Sequence, residues 1–249
     1  MERVNYIAAF YIGNNRGYEH YKRKFASDPL FFVNKHVEFL NSCNDKRISL
    51  VTFVFNDDIS NDVLSKLASI KLHNYELQIV VRKNSGFSYG IWNDTITQNL
   101  DKADYFFLIE DDYVPCDTDF CSKFIEFVSD ETPYICGFAD KVTDVTAPNI
   151  TAKGIYTVPS ISNGMIKSTA CKEVFGKYGT IFKLNQNNDY PSAWDNQICF
   201  YTYFFEMGYG MADILSKYSS PFLYCNGNQM KIFGDAQLPS LIMPIAIYG

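Results

Sequence analysis

Tyr105-Phe106-Phe107-Leu108-Ile109 is an apolar run that ends abruptly in three consecutive carboxylates, Glu110, Asp111 and Asp112. Its length and its aromatic and branched content predict a strand buried on both faces. Pro115 cannot donate to a sheet ladder, so the strand must stop near it. The acids therefore fall at a strand's carboxyl end, where open α/β sheets hold their ligands. Three carboxylates packed together repel one another unless a cation is present. A divalent cation resolves that conflict, and hard oxygen ligands suit manganese or magnesium. A solvated acidic turn is the competing reading, since Asp-rich turns commonly follow strands.

Upstream segments repeat the pattern. Tyr6 to Ile12, Ile48 to Phe55 and Leu77 to Val81 read as strands, each ending in polar or charged residues. Apolar spacing predicts helices over 31–41, 60–70 and 88–99, the second capped by Ser60 or Asn61. Strands separated by helices of this length imply right-handed crossovers and a mainly parallel, Rossmann-like sheet flanked by helices. After residue 116 the expectation is a helix over 118–128, a strand over 134–138 and a loop over 140–154. Short strands at 155–158 and 161–166, a helix over 170–178 and a polar loop over 185–191 follow. A last helix, opened by Ser192 or Asp195, runs to about Met207, and loops and short strands fill 218–249. No linker divides the 249 residues.

Composition narrows the class of function. Aromatic residues make up 16% of the chain, which argues for a globular fold, and the net charge of −6 gives no basic stripe for nucleic acid. Seven cysteines without C-x-x-C spacing fit a reducing compartment better than a disulfide framework. The amino terminus has too short an apolar run for a secretory signal, and no segment is long enough to span a membrane. Neither a Walker A loop nor a Gly-x-Gly-x-x-Gly fingerprint is present. The three histidines, 20, 36 and 73, have no metal-ligand spacing and read as surface or core residues.

A carboxylate triplet at a sheet edge suits a metal-bridged diphosphate. Arg16, past the first strand, is placed to hold phosphate oxygens in a bidentate fork, with Arg82 and Lys83 as rivals or additions. Asp57, past the second strand, can accept an imide proton from uracil, and Tyr11 or Phe10 offers a stacking face. Ordinary turn chemistry accounts equally for Asn56-Asp57-Asp58. In Ser192-Ala193-Trp194-Asp195-Asn196-Gln197 the carboxylate of Asp195 has two readings, a helix cap or a general base beside the apolar face of Trp194.

Ile109 through Pro115, followed by Asp119-Phe120, resembles the Glu-Asp-Asp form of the DXD motif in GT-A glycosyltransferases, and is most similar to the N-acetylglucosaminyltransferase I type. Trp194-Asp195 is similar to that group's Trp-Asp pair, Arg16 to its Arg after the first strand, and Asn56-Asp57 to its uracil-binding Asp. Asn196 and Gln197 depart from the pattern, which often has an acid or another aromatic there. The resemblance implies one GT-A-like α/β domain over 1–249, with a nucleotide-sugar-binding half over 1–115 and a smaller mixed acceptor-binding half over 116–249. It implies transfer of a sugar, with inversion, from a UDP-type nucleotide-sugar donor to a hydroxyl of a glycan or glycoconjugate acceptor. Asp112 would ligate Mn2+ or Mg2+ directly, and Glu110 and Asp111 would hold ribose or metal-bound water. Tyr11, Arg16, Asp57 and Arg82 would complete the donor side. Asp195 would be the catalytic base, and Asn163, Gly164 and Trp194 would line the acceptor side. A microbial or viral member working in the cytoplasm, the host's for a virus, fits the size and the missing signal.

Two other classes compete. A nucleotidyltransferase that makes nucleotide-sugars wants a Gly-rich basic loop after the first strand, of which Gly13-Asn14-Asn15-Arg16-Gly17 is a poor version. A non-catalytic carbohydrate-binding domain would use the acids for calcium and the aromatics for stacking on sugar.

Overall fold

The computed structural model describes residues 1–11, 28–56, 59–147, 150–187, 189–219, 221–226 and 229–232. Arg16 and Asp57, two of the expected donor-side residues, lie outside them. Strands β1 (Val4–Phe10), β2 (Ile48–Asn56), β3 (Leu77–Arg82) and β4 (Tyr105–Glu110) alternate with helices α1 (Phe31–Ser42), α2 (Asn61–Ala68) and α3 (Phe87–Asn99). Then come β5 (Tyr113–Pro115), α4 (Phe120–Phe127), β6 (Tyr134–Ala147), β7 (Ile150–Lys167) and α5 (Ser168–Tyr178). Helices α6 (Tyr190–Cys199) and α7 (Thr202–Glu206) precede β8 (Met211–Asp213), β9 (Phe222–Asn226) and β10 (Gln229–Ile232).

Among the described residues the central sheet has the order β3-β2-β1-β4-β7-β6-β8. The pairs β3–β2, β2–β1, β1–β4 and β6–β8 are parallel, and β7 runs antiparallel to both of its neighbours. The chain is thus an α/β protein with a mainly parallel sheet flanked by helices, and both halves contribute strands to that sheet.

Strand alternation sorts the core into two layers. Tyr6, Ala8 and Phe10 of β1 and Phe107 and Ile109 of β4 face α1, α2 and α4, where they meet Phe32, Leu40, Leu67, Phe120 and Phe124. Ile7 and Ala9 of β1 and Phe106 and Leu108 of β4 face Trp92 and Ile96 of α3 and Val174 of α5. Phe106 through Ile109 are fully buried, as the apolar run predicts. Each such side chain contributes about 1.5–3 kcal/mol of transfer free energy, so the strand carrying the acids is firmly anchored.

Three expectations need correction. Residues 140–147 and 150–154 are strand, not loop: β6 and β7 continue as a paired ribbon out to Ala147↔Ile150. Val142, Thr143, Val145 and Thr146 favour extended backbone, and that preference outweighs the turn signal of the interspersed Asp residues. The last helix begins at Tyr190 rather than at Ser192 or Asp195. Its cap is Asp189, which accepts from the Ser192 backbone N–H at 2.8 Å, and Pro191 sits in the first turn, where a missing N–H costs nothing. The same helix stops at Cys199, where the Thr202 hydroxyl donates to the Cys199 carbonyl at 2.6 Å and competes with the helical ladder. In α2 the cap is Ser60, which accepts from the Val63 N–H.

Gly164 pairs with Leu108 on one side and Cys136 on the other. A Cβ added there would lie 2.0 Å from the Ile135 carbonyl oxygen and 2.8 Å from the Cys136 Cα. Both obstacles are backbone, which cannot swing aside. We therefore expect Gly164→Ala to cost about 3 kcal/mol, measured as a lower urea midpoint; an unchanged midpoint would show that the sheet has room there.

Candidate functional site

Strand register brings the carboxyl ends of β1 to β4 to one edge. Phe10 pairs with Phe55, Asn56 with Arg82, and Ala9 with Glu110. Tyr11 and the acidic turn at 111–112 therefore lie side by side just beyond the sheet.

Donors from several elements hold the turn. The Glu110 N–H donates to Asn163 Oδ1 at 2.6 Å, and Ser88 Oγ donates to Glu110 Oε1 at 2.7 Å. The Tyr11 backbone N–H donates to Asp111 Oδ2 at 3.0 Å. Asp111 and Asp112 are both buried, Asp112 at 7% exposure. Hydrogen bonds to a charged group contribute about 1.5–3 kcal/mol each, enough to offset part of the repulsion among three carboxylates. Downstream, β5 pairs with β9 of the tail, Tyr113 opposite Tyr224, and the Cys116 N–H donates to the Pro221 carbonyl at 2.8 Å.

His36 of α1 completes the support. Its Nε2 lies 3.3 Å from the Asp111 carbonyl oxygen, and its Nδ1 lies 2.7 Å from the Tyr6 hydroxyl. Burial is the main influence on its pKa, lowering it to about 4 against smaller opposing pulls from the backbone of Asp111 and Tyr113. The ring is therefore neutral at pH 7. A carbonyl only accepts, so Nε2 carries the proton, Nδ1 accepts, and Tyr6 donates.

The other expected residues fall as follows. Tyr11 is buried at the edge, its ring 6.2 Å from that of Phe87. Phe10, its alternative as a stacking face, is packed in the core with its ring stacked at 4.9 Å on Phe55, so it presents no open face. Arg82 pairs with Asp94 at 2.7 Å and donates to the Ser85 carbonyl at 3.2 Å, which ties the β3–α3 loop to α3. Asn163 is fully buried at the acidic turn rather than apart from it, and its Nδ2 has no protein partner among the described residues. Gly164 lies inside the sheet.

Asp195 sits on the second turn of α6, so the cap reading gives way to Asp189. It is 2% exposed and accepts from Asn185 Nδ2 at 3.3 Å. Trp194 leaves 44% of its surface exposed, an open aromatic shelf rather than a closed wall. Asn196 uses both ends of its amide. Its Oδ1 accepts from the Asn185 N–H at 2.6 Å, and its Nδ2 donates to the carbonyls of Asn185 and Gly86 at 2.9 and 3.3 Å. Gly86 adopts a left-handed φ of +72° and opens α3, two residues before Ser88. Hydrogen bonds thus run from Asp195 through Asn185, Asn196 and the start of α3 to Glu110.

Sequence reasoning missed Ser88, Phe87, Asn185 and the role of His36. Gly86 next to Arg82-Lys83-Asn84-Ser85 was the available signal, a backbone reversal at a strand end. Among the described residues no three His, Cys, Asp or Glu converge to hold a metal alone. Mn2+ and Mg2+ take one or two protein carboxylates and complete their shell with phosphate and water oxygens. Among the described residues the side-chain oxygens that the acidic turn brings to this edge are hard carboxylate oxygens. No helix among the described residues is long and apolar enough to cross a membrane.

No protein-family model matches the chain, and no curated protein matches it. Several solved structures are similar at low identity. A Bacillus anthracis protein described as a glucose-1-phosphate thymidylyltransferase is 12% identical, with 90% of this chain and 91% of that one covered and a TM-score of 0.48. A 4-diphosphocytidyl-2C-methyl-D-erythritol synthase from Anaerococcus prevotii is 10% identical over 74% and 79% of the two chains, TM-score 0.45. TarS of S. aureus is 11% identical, TM-score 0.39; 69% of this chain aligns, over 29% of TarS. Likeness at this level does not bear on substrate or reaction.

Because His36 titrates at about 4 folded and near 6.5 unfolded, the unfolded chain binds more protons between those values. The neutral imidazole's contribution is complete above pH 6.5 and is lost as pH falls toward 4, a difference of about 3 kcal/mol. Between pH 7 and pH 4 the wild type should lose about that much more urea stability than His36→Gln, which has no titrating group. Equal losses would mean that burial does not lower the pKa of this ring.

Proposed function

We propose that the chain is a metal-dependent glycosyltransferase of the GT-A type, transferring a sugar from a nucleotide-diphosphate donor, of which UDP is the favoured carrier, to an acceptor hydroxyl. One observation carries this reading. The acidic turn and the buried carboxylate of Asp195 are linked through the start of α3, so a metal-competent edge and a candidate base belong to one assembly.

In this reading the acidic turn receives the diphosphate, with Asp112 as the carboxylate that holds Mn2+ or Mg2+. A divalent cation there supplies Lewis-acid stabilisation of the charge on the departing diphosphate. Phe87, half-buried beside Tyr11, offers aromatic surface at the nucleotide end. Glu110 and Asp111, engaged by Ser88 and Tyr11, keep oxygens oriented for ribose or water. Asp195 takes the proton of the acceptor hydroxyl as that oxygen bonds to the anomeric carbon and the carbon–diphosphate bond breaks, which inverts configuration. Asn185 holds one oxygen of Asp195 and thereby orients the other. Trp194 is the shelf on which a glycan or glycoconjugate acceptor stacks. A cytoplasmic setting belongs to the same proposal.

The test is a thermal-shift series with UDP and Mn2+, followed by transfer assays over a panel of nucleotide-sugars. UDP should stabilise the wild type only with metal, and Asp112→Ala should abolish that stabilisation. Asp195→Asn should keep it while transfer falls about a thousandfold, the range of a general base. Turnover of a nucleoside triphosphate with a sugar phosphate, and none with nucleotide-sugars, would reassign the chain as a nucleotidyltransferase. Binding without any turnover would make it a carbohydrate- or nucleotide-binding module.

A further inference from the structure

Tyr6 and His36 form a polar pair inside an aromatic layer. Both are fully buried, and the His36 ring is met edge-on by Tyr6, Phe10 and Phe53, with centroids 6.0, 5.1 and 6.2 Å away. Phe107 and Phe120 pack on the other sides of Tyr6. An apolar pair of the same volume would fill this space without the desolvation that an imidazole and a hydroxyl incur. Packing alone therefore does not account for them.

Their hydrogen bonds point to what they accomplish. Tyr6 donates to Nδ1, which fixes the tautomer with the proton on Nε2, and that N–H meets the Asp111 carbonyl. The carbonyl belongs to the peptide plane joining Asp111 to Asp112, and the plane is rigid. Fixing its oxygen fixes the direction in which the backbone enters Asp112. The Asp111 carboxylate is fixed separately by the Tyr11 N–H.

We infer that Tyr6 and His36 are positioning residues for the divalent cation: through the Asp111–Asp112 peptide they set the direction of the Asp112 carboxylate, and so the affinity of the turn for Mn2+ or Mg2+. The inference rests on the metal-dependent reading of this edge. Neither residue touches substrate. Gln at position 36 can present an N–H near the place of Nε2, whereas Leu fills the volume and offers no donor. Phe at position 6 removes one hydroxyl and releases the tautomer.

The experiment is a Mn2+ titration of the full chain at saturating UDP, read by thermal shift and by calorimetry, alongside the urea midpoint without metal. His36→Leu should weaken Mn2+ binding at least about tenfold, as losses of a ligand's supporting partner do, even where its metal-free stability equals or exceeds the wild type's. His36→Gln should recover most of the affinity, and Tyr6→Phe should fall between. At saturating metal, kcat should return close to the wild-type value in all three. Should His36→Leu fail to fold, Tyr6→Phe carries the test alone. Variants that bind Mn2+ as tightly as the wild type, whatever their urea midpoints, overturn the inference and leave the functional proposal standing. A wild type without manganese-dependent UDP binding overturns both.

Discussion

Repulsion among three adjacent carboxylates is the constraint around which this edge of the molecule is organised. Left in water, Glu110, Asp111 and Asp112 would splay apart. Here neighbouring elements supply the opposing contacts: Asn163 from β7, Ser88 from α3, the Tyr11 N–H from the end of β1 and His36 from α1. Two of these contacts grip the backbone and two grip carboxylate oxygens. Holding the main chain matters as much as holding the side chains, because a turn whose peptide planes are fixed cannot relieve repulsion by unwinding. The turn that carries the carboxylates is thus held from four elements at once.

That arrangement needs a rigid foundation, which the sheet provides. The four residues before Glu110 are completely buried between two layers of aromatic and branched side chains, and β4 is paired on both edges, with β1 and with β7. Gly164 lets β7 approach β6 more closely than any side chain would allow, and the next residue back is Asn163, whose amide reaches the Glu110 N–H. Sheet spacing and the placement of the acids are therefore one problem. Beyond the turn, pairing of β5 with β9 brings the carboxyl-terminal part of the chain to the same edge.

The sequence made the parallel half of this fold legible because its signals are local. Four apolar runs of strand length alternate with helical spacing, and β1 to β4 lie close to the expected positions. The ribbon of β6 and β7 was hidden because Asp and Pro between β-branched residues look like loop punctuation, and only the partner strand reveals otherwise. Asp189 was hidden as a cap because Pro191 two residues on resembled the end of a loop. The candidate site divided in the same way. Consecutive acids announce themselves, whereas Ser88, Asn185 and Asn163 act on residues 22, 10 and 53 positions away, and no local pattern encodes such a partner. His36 lacked metal-ligand spacing and read as a surface or core residue; its core placement is correct, but what it grips is visible only in three dimensions.

At position 196 an amide does what an acid could not. An acid there could not donate to the Gly86 and Asn185 carbonyls as the Asn196 amide does, and it would place a second carboxylate beside Asp195. The amide instead joins the β3–α3 loop to the segment before α6, and Ser85 reinforces the junction by donating to Gln186. One side of this junction leads through Ser88 to the acidic turn, and the other leads through Asn185 to Asp195. A displacement of the β3–α3 loop would therefore be felt at both carboxylate centres. The acids are fixed at the end of a strand of the central sheet, and Asp195 by its helix, α6, together with the side chain of Asn185.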